Sequence, residues 1–189
     1  FPVLINITSD LNLRTTGNGG HVQDAEGDDI IFRDSTGRVQ LDHEIETYVA
    51  SSGQLIAWVR IPTLSKSTDT DIYIYYGNDN ITSSLENVGG VWDSYHKGVW
   101  HLKEEASGTG TTDLYEDSSG NGNHGDDYIS DTGRSGQIGY GKTFDASDDY
   151  VTIPDHDDLD LGNTFTISAW VNTATSVRQG IASKYTNGG

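Results

Sequence analysis

Residues 117–125, DSSGNGNHG, form the densest polar turn in the chain, with three glycines and no apolar side chain. Asp117 offers an anionic oxygen, Ser119 a hydroxyl, and Asn121 and Asn123 amide carbonyls. Gly120, Gly122 and Gly125 leave the backbone free to fold its own carbonyls inward. Such a set of hard oxygens at loosely defined angles suits calcium, which takes six to eight of them. The spacing lacks the Asp-x-Asp-x-Asp-Gly pattern with a distal Glu of an EF-hand. The same residue types also close tight turns without a metal, Asp and Asn bonding back to their own backbone. Both readings stay open: a structural calcium loop, or a corner between strands.

Other residues point to chemistry less directly. Asp42, Glu44 and Glu46 alternate along VQLDHEIETYV (39–49), while Val39, Leu41, His43, Ile45, Thr47 and Val49 take the opposite face. Paired carboxylates are the equipment of glycosidases, but period-two acids on a strand are the ordinary solvated face of an antiparallel sheet. Solvation is the expectation here, and no catalytic residue is assigned. His43, His96, His101, His124 and His156 show no metal-ligand spacing and are expected to be structural. No Gly-x-Ser-x-Gly elbow and no phosphate-binding Gly-x-x-x-x-Gly-Lys loop occurs. Trp58 and Trp170 lie in apolar runs and read as core, whereas Trp92, Tyr95, Tyr140 and Tyr185 flank turns and are candidates for exposure.

Charge narrows the partners. The chain carries 29 acidic residues, only seven of them Glu, against 11 Lys and Arg, for a formal charge of −18 over 189 residues. Nucleic acid and anionic membrane surfaces are disfavoured partners, and no run approaches the ~20 apolar residues of a membrane span. Cysteine is absent, which excludes a disulfide framework and thiolate metal sites. Methionine is absent too, even at position 1, so the sequence is expected to begin inside a longer chain or after a removed segment. Asn6-Ile7-Thr8 and Asn80-Ile81-Thr82 are possible glycosylation sites at Asn6 and Asn80, relevant to an exported protein.

The elements that would position these residues are strands. VLINI (3–7), DIIFRD (29–34), VQLDHEIETYV, QLIAWVRIP (54–62) and DIYIYYG (71–77) are rich in β-branched and aromatic residues and bounded by turn formers. No window carries a helical stripe, and 23 glycines oppose long helices. GNDNITSSLENVGG reads as a linker, placed at 81–97, between a first unit of 1–80 and a second of 98–189. In the second unit GVWHLKE, KTFDA (142–146), DYVTIPD (149–155), FTISAWVN (165–172) and GIASKYTN (180–187) read as strands.

Four motifs in order, VWHLKE (99–104), DSSGNGNHG, GKTFDASDDYVTIP (141–154) and LDLGNTFTISAWVN (159–172), resemble the laminin-G-like, concanavalin A-like β-sandwich family. The first half, with GDDIIFRDSTG, LDHEIETY, AWVRIPTL and DIYIYYGN, resembles a domain of unknown function, DUF2341, that precedes laminin-G-like domains in large surface proteins. These resemblances imply an all-β chain: a small antiparallel β-sandwich domain, then part of a concanavalin A-like jelly roll that stops near mid-domain. They also imply calcium on the sandwich rim, with Asp145 and Asp149 completing the Asp117 shell. The expected function is non-enzymatic: an exported, extracellular or cell-surface protein for adhesion or glycan binding, its partner a glycan or a surface protein. The alternative is a structural subunit of an extracellular filament that self-associates through open strand edges. A glycoside hydrolase is the third and weakest reading.

Overall fold

The structure is a computed structural model that describes residues 1–106, 109–131, 133–174 and 179–184. It is mostly β with almost no helix. The strands are β1 (Pro2–Ile7), β2 (Ile31–Asp34), β3 (His43–Val49), β4 (Gln54–Arg60) and β5 (Ile72–Tyr75), then β6 (Asp126–Tyr128), β7 (Arg134–Ser135), β8 (Tyr140–Gly141) and β9 (Tyr150–Thr152). One four-residue helical turn, α1 (Val88–Val91), lies between β5 and β6. Among the described residues every strand pairing is antiparallel: β1-β4-β3 form a three-stranded sheet, and β2-β5, β6-β9 and β7-β8 form two-stranded ones.

Alternation explains the first sheet. On β4, Leu55, Ala57 and Val59 point to one side and are fully buried. Val3, Ile5 and Ile7 of β1 and Phe32, Ile72 and Ile74 of β2 and β5 join them, with Leu13, Val22, Ile30, Leu41 and Ile61 from the connections. This core therefore lies between the three-stranded sheet and the β2-β5 pair. Gly53 in the β3-β4 turn has a φ of +66°, and a Cβ there would lie 1.9 Å from the Asp10 carbonyl oxygen. Only glycine fits that turn.

The expected alternation of β3 breaks at one residue. Ile45 pairs with Ala57 but Thr47 pairs with Ile56, so Glu46 is the extra residue of a β-bulge. Past the bulge the faces exchange, and Tyr48 rather than Thr47 packs against the core. The face with Glu44 is also covered. Trp92 packs on Trp58 at 5.3 Å, the backbone N–H of Asn87 donates to the His43 carbonyl (3.1 Å), and Arg60 donates to the Gly90 carbonyl (2.8 Å). Residues 87–92 thus pack against β3 and β4.

The later residues are more open. DSSGNGNHG is tied to residues 97–100 by an antiparallel bridge between Trp100 and Asp117 and by a hydrogen bond from Ser118 to the Val99 carbonyl (2.8 Å). A second bridge joins Tyr115 and Gly125. The expected strand DYVTIPD is present as β9, whereas KTFDA and FTISAWVN form no ladder. Trp170, expected in the core, is 73% exposed, and Phe165, Ile167 and Val171 are exposed with it. Position Tyr185 and the end of GIASKYTN lie outside the described residues.

Candidate functional site

The two acids of β3 define a buried polar centre. Side chains of Glu44 and Glu46 are 5% and 2% exposed, and the His101 imidazole, 8% exposed, sits between them. Its Nε2 is 3.1 Å from Glu44 Oε1 and its Nδ1 3.3 Å from Glu46 Oε2. Nε2 makes no aligned hydrogen bond to Glu44, so that contact is one of proximity. The aligned bonds come from elsewhere. Trp58 Nε1 donates to Glu46 (2.8 Å), Trp92 Nε1 to Glu44 (3.1 Å) and Ser118 Oγ to Glu44 (2.6 Å). Trp58 stacks on the imidazole at 6.2 Å and 22°.

This geometry corrects the expectation of a solvated acidic face. Alternation alone placed these acids in water. Residues 92, 101 and 118, remote in sequence, cover them instead. Burial pushes the Glu44 carboxyl up, but His101, Ser118 and Trp92 outweigh it and hold the group below the usual carboxylate range. The Ser118 hydroxyl donates its hydrogen to the Glu44 carboxylate. Glu44 and Ser118 also line a cleft of ≈290 Å³ with Glu86, Glu104, Glu116 and Lys103.

The residues expected to bind calcium divide into two groups. Asp117, Ser119 and Asn123 are buried in one loop with Asn121 half-buried beside them. Asp117 Oδ1 accepts from the N–H groups of Val99 and Ser119 (both 2.9 Å). Oδ2 accepts from the Ser119 hydroxyl (2.8 Å) and the Asn123 N–H (3.0 Å). A carboxylate offers about four lone-pair sites, and all are taken. The side-chain amides of Asn121 and Asn123 donate to the carbonyls of His96 and Lys97 (both 2.8 Å). Donors rather than free oxygens face Asp117, and as folded the loop does not fit a calcium ion. Gly120 and Gly122, at φ of +83° and +77°, supply the left-handed backbone that the corner needs.

Asp145 and Asp149 lie in a second loop, and among the described residues no hydrogen bond joins them to Asp117. With Asp148 they place carboxylate oxygens within 4.8 Å of one another. Asp149 accepts from Ser130 N and Oγ (2.9 and 3.0 Å) and from Asp145 N (2.8 Å). These backbone and hydroxyl bonds hold its carboxyl below the usual range. Asn6 and Asn80 are both exposed.

Sequence reasoning passed over a third site. On β5, Ile72 and Ile74 turn to the core while Tyr73 and Tyr75 stand together on the outer face, 48% and 43% exposed. Across the ladder Arg33 pairs with Tyr73, and its guanidinium lies 5.0 Å from the Tyr75 ring centroid. Arg33, Tyr75, Tyr76, Asn78 and Asp29 line a cleft of ≈180 Å³ whose apolar wall is Ile31, Ile81 and Leu85. Asp29 is held by backbone: it accepts from Gln23, Asp24 and Gly77 N–H groups. The alternation Ile-Tyr-Ile-Tyr was the available signal. Of the aromatics expected at the surface, Tyr95 and Tyr140 are exposed, whereas Trp92 is buried under Glu44.

No helix among the described residues is long and apolar enough to cross a membrane. No curated protein and no solved structure matches the chain. A family model does: residues 26–127 match the domain of unknown function DUF2341, from the connection before β2 through the expected linker to just past DSSGNGNHG. That span contains Arg33, Tyr73 and Tyr75, and it contains Glu44, Glu46, His101 and Ser118, which the fold brings together. With more than half of its residues matched, the chain belongs to the DUF2341 family.

Proposed function

We propose that the chain is a non-enzymatic recognition module of an exported surface protein, and that it binds glycan on the outer face of β2 and β5. One observation carries this reading: Tyr73 and Tyr75 stand exposed on the same side of one strand, with Arg33 opposite. Residues two apart on a strand repeat at about 6.8 Å, which sets two ring faces in a row. A sugar ring presents apolar C–H bonds on one face, and an aromatic face with its negative quadrupole attracts them. Asn78 and Arg33 add hydrogen bonds to hydroxyls beside the rings.

The buried Glu44–His101–Glu46 centre has a different part in this reading. Both carboxylates are enclosed and bonded, so they serve to lock Trp92, His101 and Ser118 onto the sheet rather than to attack a glycosidic bond. The exposed sequon residues Asn6 and Asn80 agree with export. A laminin-G-like sandwich after about residue 98 belongs to the same proposal and rests on the motif order alone. Calcium enters only as a structural ion; the Asp117 corner does not need it, and an ion would have to use the loop of Asp145, Asp148 and Asp149.

The test is a binding screen against soluble polysaccharides by affinity electrophoresis, with wild type, Tyr73→Ala and Tyr75→Ala. The reading expects retardation by at least one polysaccharide and a loss of tenfold or more in each variant, the fold being unchanged by circular dichroism. Absence of retardation across neutral and acidic polysaccharides would sink it.

A further inference from the structure

We infer that the Arg33–Tyr75 cleft selects a carboxylated sugar, of the uronate or sialate kind, over neutral sugars. This rests on the glycan-binding reading and names the chemistry of its ligand. The chain carries 29 acids against 11 Lys and Arg, so a basic side chain near the surface has acids on offer everywhere. Arg33 nevertheless takes part in no ion pair among the described residues. One amino group of its guanidinium donates to the Gly37 carbonyl (3.1 Å), and its Nε is enclosed with no acceptor.

Asp29, the acid that lines this cleft, forms no ion pair with Arg33. Asp29 lines the same cleft, yet its two oxygens accept four contacts from the backbone N–H groups of Gln23, Asp24 and Gly77. Asp29 thus holds the cleft's wall together, and the Arg33 guanidinium, without an ion-pair partner among the described residues, lies beside the Tyr75 ring. A partly desolvated guanidinium without an anion is unfavourable. A ligand carboxylate supplies that anion, and the planar fork of the guanidinium suits it better than an ammonium would. At ≈180 Å³ the cleft lies below the ~300–1,000 Å³ of larger ligand pockets and holds about one sugar ring. That ring packs on Tyr75 and Tyr76 with its carboxylate turned to Arg33.

The experiment is calorimetric titration of the full chain with an oligo-uronate and with the same oligosaccharide after its carboxyl groups have been reduced to alcohols. Wild type is expected to bind the oligo-uronate at least tenfold more tightly than the reduced form. Arg33→Gln should bring the two affinities together, Arg33→Lys should keep part of the preference, and Tyr75→Ala should weaken both. Thermal unfolding of each variant checks that the fold survives. Equal wild-type affinity for the two ligands, or a preference that persists in Arg33→Gln, overturns the carboxylate assignment and leaves sugar binding standing. Failure of wild type to bind either ligand overturns the assignment as well, and retardation by other polysaccharides then decides the wider reading separately.

Discussion

Both oxygens of Asp117 are taken by donors from its own loop and from Val99, which makes the residue a hub for four buried or half-buried donors. Replacing it by Ala leaves those donors without an acceptor, and each unsatisfied buried donor costs roughly 1–3 kcal/mol. Asp117→Ala is therefore expected to lose about 3 kcal/mol of stability, equally in excess calcium and in chelator. Thermal unfolding under the two conditions measures this. A loss that appears only with calcium present would show instead that Asp117 acts through a bound ion. The oxygens and glycines of DSSGNGNHG were visible in the sequence, but not the direction of their bonds. Asp-Ser-Ser-Gly offers oxygens to a metal and to backbone N–H groups alike, and only the approach of residues 97–99 decides between them.

At the scale of elements, β3 shows where sequence pattern succeeds and where it stops. Its existence, and those of β1, β2, β4 and β5, follow from alternating β-branched and aromatic residues between turns. The bulge at Glu46 could not be read, because one inserted residue leaves the pattern intact on either side. Nor could the burial of Glu44, since the cover comes from Trp92, His101 and Ser118, up to 74 residues away. That cover has a pH signature. A carboxyl held below its ordinary value in the folded state adds stability above the unfolded value, about 4.3. The contribution disappears as pH falls through the folded-state value. Urea unfolding of Glu44→Gln between about pH 6 and pH 3 should show a shallower acid limb than wild type. His101→Ala, which strips two buried carboxylates of their partner, should cost about 3 kcal/mol or more at neutral pH. An acid limb unchanged in Glu44→Gln would mean that the carboxylate is not held in the charged form by these neighbours.

For the whole molecule, the β core between the three-stranded sheet and β2-β5 sets a rigid frame, and its two outer sides differ. Residues 87–92, with His101 and Ser118, cover one through the Glu–His–Glu centre. The other presents Tyr73, Tyr75 and Arg33 to solvent. Rings held in register on a packed core lose less entropy on binding a ligand than mobile ones would. The all-β class was plain in the sequence, while the exposed run from Phe165 to Val171 was not. Its alternation promised a core strand, but no ladder among the described residues receives it.

The measurement that bears most directly on this account is backbone amide chemical-shift mapping by NMR, titrating the full chain with a polysaccharide that retards it. Shifts should concentrate at Ile31–Asp34 and Ile72–Asn78, with β1 and the Asp117 corner unmoved. Shifts centred on the acidic cleft of Glu86, Glu104 and Glu116, or on the Asp145 loop, would contradict it and move the binding surface away from β2 and β5.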